Sequence, residues 1–166
     1  MPASTFLTAA CGIVSVDPPD ADSTRLCFGT PERCPCALQG TNGAGCPNSF
    51  GAAGDLSLTG NASLGADTLT LRHSGVEAGK TILFFQGTQE LAPAAPLGDG
   101  LRCAGGSVLR LGTRTSSGAT DSFGAAVPGD PGVSVAGQVP VLGATRVYQV
   151  WYRDPSAACG AGSFNL

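Results

Sequence analysis

Glycine and proline punctuate this chain too densely for a long helix to form in it. There are 25 Gly and 12 Pro among 166 residues, and in a helix interior each costs about 1 or about 3 kcal/mol relative to alanine. Yet hydrophobic residues make up 42% of the chain and the mean hydropathy is +0.16, which is too apolar for disorder. Short strands joined by many turns reconcile the two facts. A single domain of this length buries roughly 70% of its unfolded surface, so a sizeable core is within reach.

The strand pattern begins at Asp55. Leu56 and Leu58 alternate with polar neighbours, as do Leu69 and Leu71. Residues 81–86 (Thr-Ile-Leu-Phe-Phe-Gln) are apolar on both faces, which predicts a strand covered on two sides. Ser107-Val-Leu-Arg-Leu111, Val133-Ser-Val135 and residues 145–153 continue the series. In the last, Tyr148, Val150 and Tyr152 face one way while Val147, Gln149 and Trp151 face the other. Turn residues separate these runs at His73-Ser-Gly75, Gly98-Asp-Gly100, Pro128-Gly-Asp-Pro-Gly132 and Asp154-Pro155. The expected fold is all-β, a two-sheet antiparallel sandwich of jelly-roll or immunoglobulin-like type. Residues 1–26 read as an N-terminal extension, stiffened by Asp17-Pro-Pro-Asp-Ala-Asp22. Residues 27–166 read as the sandwich domain. Within it, residues 27–54 are rich in Cys, Gly, Pro and Asn, show no periodicity, and hold a shape only if cross-linked.

Charge excludes one class of partner. Charged residues are 13% and the net charge is −3, about half the usual charged fraction. The nine cations are scattered singly, whereas a nucleic-acid binder needs them clustered. No stretch approaches the roughly 18 apolar residues of a membrane span, and residues 1–10 lack the basic and apolar regions of a signal peptide. The chain therefore reads as a mature or excised fragment. Seven cysteines, at 11, 27, 34, 36, 46, 103 and 159, point to an oxidising, extracellular or cell-surface compartment.

Five segments carry a resemblance: Cys34-Pro-Cys36 with Gly45-Cys-Pro-Asn-Ser49; Leu83-Phe-Phe-Gln-Gly-Thr88; Gly98-Asp-Gly-Leu-Arg-Cys103; Val108-Leu-Arg-Leu-Gly112; and Tyr148-Gln-Val-Trp-Tyr-Arg-Asp154 with Phe164-Asn-Leu166. In consistent order over residues 27–166, they resemble an uncharacterised, usually C-terminal module of secreted proteins from planctomycete-type and myxobacterial-type bacteria. The resemblance implies an extracellular, non-enzymatic accessory domain. The chain departs from that module at Phe28-Gly-Thr-Pro-Glu32, where members are rich in Gly-Asp-Gly sequence. Members also tend to continue beyond Phe-Asn-Leu with one more strand, so an open sheet edge is expected here.

The cysteines could hold zinc, but Cys34-x-Cys36 with Cys46 and Cys27 lacks the paired spacing of a structural site and any nearby His. Disulfides are the expected state. The expected set joins Cys103 to Cys159, with two bridges among Cys27, Cys34, Cys36 and Cys46, and leaves Cys11 free or available for an intermolecular link. Nucleophilic catalysis finds no motif: His73 is the single histidine, and Gly40-Thr-Asn-Gly-Ala-Gly45 lacks the Lys of a phosphate loop. A glycoside hydrolase would need only two carboxylates, but Asp99, Asp121, Asp130 and Asp154 sit in turn-like contexts. Calcium could find oxygen ligands at Asp17, Asp20 and Asp22 or at Gly98-Asp-Gly100, although neither forms a recognised calcium loop. Trp151, Tyr148 and Tyr152 are the aromatics that could face a sugar, which keeps a carbohydrate-binding module as the alternative. The leading expectation is a non-catalytic structural or attachment module of a bacterial cell surface. Its partners would be copies of itself, met through a sheet edge, or a cell-envelope or matrix polymer.

Overall fold

The computed structural model describes residues 8–9, 11–16, 23–37, 40, 43–156 and 163–166. Its strands are β1 (Thr8–Ala9), β2 (Cys11–Val16), β3 (Ser23–Leu26), β4 (Asp55–Thr59), β5 (Thr70–Ser74), β6 (Thr81–Leu97), β7 (Gly100–Thr115), β8 (Asp121–Gly124), β9 (Ala144–Arg153) and β10 (Phe164–Asn165). A 3-10 turn spans Pro35–Ala37 and one short helix, α1, spans Val133–Ala136. The strands form two antiparallel sheets. The smaller runs β1-β4-β5-β8, and the larger runs β3-β2-β9-β6-β7, with β10 also paired to β9. This is the expected all-β sandwich with a disulfide-linked loop region.

Alternation dictates how the sheets stack. Leu56, Leu71 and Phe123 of the smaller sheet meet Ile82, Phe84, Tyr148, Val150 and Tyr152 of the larger one in a single apolar core. Phe84 and Phe123 stack across it with ring centroids 5.9 Å apart. Gly112 sits where a side chain would collide with the Phe123 ring, so sheet-to-sheet contact requires glycine there. Phe85, Val147 and Trp151 lie on the opposite face of the larger sheet, where Ala104, Phe164 and Leu166 cover them. That second cover explains why residues 81–86 are apolar on both faces.

Two expectations change. Residues 1–26 were expected to precede the domain, but β2 pairs with β9 from Gly12↔Tyr148 to Val16↔Ala144, and β1 and β3 also join the sheets. The described part of that segment therefore belongs to the sandwich. Val133-Ser-Val135 is not a strand but the body of α1. Val133 is fully buried in the core, while Asp67 accepts hydrogen bonds from the Ser134 amide (3.1 Å) and hydroxyl (2.6 Å). These contacts outweigh the weak helix propensity of valine.

Candidate functional site

β6 and β7, 17 and 16 residues long, are far longer than β9, the other strand that β6 pairs with. β9 accompanies β6 only from Ile82 to Gly87, so β6 and β7 continue as a hairpin of their own. Gly98, with φ of 61°, occupies the first central position of its two-residue turn, where glycine is required. Residues 91–94 of β6 have no ladder partner between the pairs Glu90↔Ala104 and Ala95↔Arg102. At this wide bulge the hairpin turns back over the outer face of the larger sheet. The fold-back is evident because Leu97 and Arg102, near the hairpin tip, line the same groove as Thr81, Leu83 and Phe85 at the start of β6.

Gln149 anchors the returned hairpin. Its side chain is buried and accepts from the amides of Cys103 (3.0 Å) and Ala104 (3.2 Å), while its amide donates to the Leu101 carbonyl (2.6 Å). Breaking this bridge would leave three buried backbone groups unsatisfied. The hairpin is also bonded covalently. Cys103 is joined to Cys27 with their Cα atoms 6.0 Å apart, and Cys34 is joined to Cys46 at 5.6 Å. Cys27, Cys34, Cys46, Leu101 and Cys103 pack together as a separate small core. Cys27 holds φ at 67°, a left-handed backbone that costs a non-glycine residue about 1–2 kcal/mol.

The expected Cys103–Cys159 bridge is thus corrected, because the hairpin carries Cys103 to the Cys-rich loop rather than to the tail after Asp154. Cys159 lies outside the described residues, as do the side chains of Cys11 and Cys36. Asp17, Asp20 and Asp22, the first calcium expectation, also lie outside them. Asp99, in the second, is buried in the hairpin turn, with its amide donating to the Phe164 carbonyl at 3.2 Å. No group of three or more His, Cys, Asp or Glu able to hold an ion occurs among the described residues.

Asn48, Ser49, Asp154 and Asn165 form a buried polar network that sequence reasoning did not foresee. The Asn48 side chain accepts from the amides of Phe50 and Ala52, both at 3.1 Å, and donates to the Gly75 carbonyl at 2.8 Å. Asp154 accepts from the Ser49 amide at 2.9 Å and from the Ser49 hydroxyl. Asn165 donates to the Pro47 carbonyl at 3.1 Å. These bonds tie Pro47-Asn-Ser49 to the ends of β9 and β10. Next to them lies buried His73, its ring 5.6 Å from that of Tyr152. Burial holds its pKa down at about 4, against a smaller upward pull from Asp121. Tyr148 and Tyr152 have their pKa raised above the ordinary phenol value, chiefly by burial. Both rings are fully buried in the core, so neither can face a sugar.

A groove of about 700 Å³ opens to solvent between the hairpin and the outer face of the larger sheet. Leu83, Phe85, Leu97, Val108 and Trp151 give it apolar walls, and Arg102 and Arg110 add two cations. Trp151 is the one expected aromatic that reaches it, but Phe164 packs against its ring (5.6 Å) and the Arg153 guanidinium lies over it at 5.4 Å. β7 borders the groove and ends the sheet, with β6 on one side and no strand on the other among the described residues. No described helix is long and apolar enough to cross a membrane. Comparison of the chain with protein-family models, with curated proteins and with solved structures returns no match.

Proposed function

We propose that this chain is a non-catalytic extracellular attachment module of a bacterial cell surface, engaging its partner along the groove and the β7 edge. The observation that carries the reading is the covalently fixed hairpin. The Cys27–Cys103 bridge and Gln149 hold it over the sheet and so keep an open, part-apolar groove in shape. A bridge between distant segments suits a protein that works outside the reducing cytosol. An unpaired strand is a ready template for a partner's backbone.

Two measurements test the proposal. Thiol titration of the unreduced protein is expected to find no more than three reactive groups, since two bridges occupy four of the seven cysteines. Cosedimentation with isolated cell-envelope material is expected to retain the oxidised protein, and reduction is expected to release it. Six or seven reactive thiols, or no retention above an unrelated β-sandwich, would sink the reading.

A further inference from the structure

We infer that β7 accepts an extended acidic peptide by strand addition, with a carboxylate set against Arg110 and apolar side chains set against Val108 and the groove. This deepens the attachment reading and rests on it. Among the edge strands, β1 has two residues and β3 and β8 have four each, whereas β7 has 16. Short edges are poor templates, so β7 is the edge that can hold a strand. Its residues 106–108, 110, 113 and 115 are exposed.

Charge selects the occupant. β7 carries Arg102, Arg110 and Arg114 and no Asp or Glu. Arg114 is paired with Asp130, but neither Arg102 nor Arg110 has an acidic partner among the described residues. Pairing two copies of β7 about a two-fold axis would therefore gather cations on one face with no carboxylate between them. Like charges set opposite each other destabilise a ladder. An acid directly across from Arg110 would sit with its Cβ about 4.5–5.5 Å from the arginine's. The extra residue at Leu111, between the pairs Phe85↔Arg110 and Phe84↔Gly112, fixes the register in which the new strand can lie. Val108, Arg110 and Thr113 all line the groove, so the same side of the added strand that meets Arg110 presents its apolar residues to Val108 and Thr113 at the groove's rim. A polysaccharide fits less well, because the Trp151 ring already has Phe164 and Arg153 against it.

The probe is a synthetic nine-residue peptide of alternating Val and Thr with one central Glu, flanked by Gly-Ser arms and followed by fluorescence anisotropy. The Glu peptide is expected to bind, and replacing its Glu by Lys is expected to weaken binding at least tenfold. The variant Arg110→Glu should reverse that preference and bind the Lys peptide better. N-methylating the amides that face β7 should abolish binding, since strand addition needs them. Near-UV circular dichroism confirms that the exposed substitution leaves the fold intact. Equal binding of the Glu and Lys peptides, indifference to N-methylation, dimerisation through β7, or tighter binding to a uronic acid polymer would each overturn the inference. If no peptide binds while cell-envelope material still retains the protein, the inference falls and the attachment reading stands. Loss of both removes both.

Discussion

The sandwich and the returned hairpin with its Cys-rich loop are held together by different physics. The sandwich closes on large apolar side chains: Leu56, Leu71, Ile82, Phe84, Phe123 and Tyr148 are all essentially inaccessible to water. In the other region the cysteines themselves form the core, with Leu101 as their main apolar companion. One region is stabilised by burial, which is distributed and tolerant. The other depends on two covalent bonds and a few buried hydrogen bonds, each of which matters individually. Placing the groove where the two regions meet means that its walls have unequal stability, so the hairpin wall is the one that chemistry can release.

The largest test of this contrast is Phe84→Ala. Removing a fully buried Phe should cost near the upper end of roughly 3–5 kcal/mol, read by denaturant unfolding of the oxidised protein. The loss should appear as one global transition. Replacing Cys27 and Cys103 together by Ala should cost about 4 kcal/mol, because that bridge spans 76 residues and longer closed loops constrain the unfolded chain more. Removing Cys34–Cys46, which spans 12 residues, should cost about 3 kcal/mol. Hydrogen exchange separates the two kinds of loss. Both cysteine variants should lose protection first in residues 27–54 and 88–105 while β4, β5 and β9 stay protected. Uniform loss of protection would show that the two regions are one cooperative unit.

Legibility in the sequence divides along the same line. Residues 81–86 and 145–153 were readable because strand period is local: each side chain's face follows from its neighbour's. That same alternation separated Trp151 from Tyr148 and Tyr152, so the three could never have faced one ligand. Val133-Ser-Val135 misled because three residues cannot distinguish a strand from one helical turn, and the deciding contact with Asp67 is 67 residues away. The Cys27–Cys103 pairing was hidden because it depends on the fold-back at residues 91–94, which leaves no periodic trace. The groove was invisible for the same reason. Arg102 and Arg110 read as isolated cations until the hairpin placed them on one surface.

Acid provides a test confined to the sandwich. His73 stays neutral in the folded protein down to about pH 4, while an unfolded chain takes up the proton near the ordinary value of 6.5. Between those values the unfolded state binds more protons, so stability should fall as pH drops from about 6.5 and the loss should be complete near pH 4. The full effect amounts to about 3 kcal/mol. His73→Phe should flatten this slope, although carboxylates that titrate in the same range will leave some residual dependence.

The smallest effect belongs to α1. Asp67→Ala removes the acceptor for the Ser134 amide and hydroxyl, a loss of about 1–2 kcal/mol by analogy with helix caps. Because α1 packs Val133 into the sandwich core, the variant should lower the midpoint of global unfolding by that small amount and leave the rate at which a mild reductant opens the Cys27–Cys103 bridge unchanged. Should Asp67→Ala instead speed the reduction of the Cys27–Cys103 bridge, the sandwich and the hairpin would be coupled through the loops as well as through Gln149. The hairpin wall of the groove could then no longer be released independently of the core.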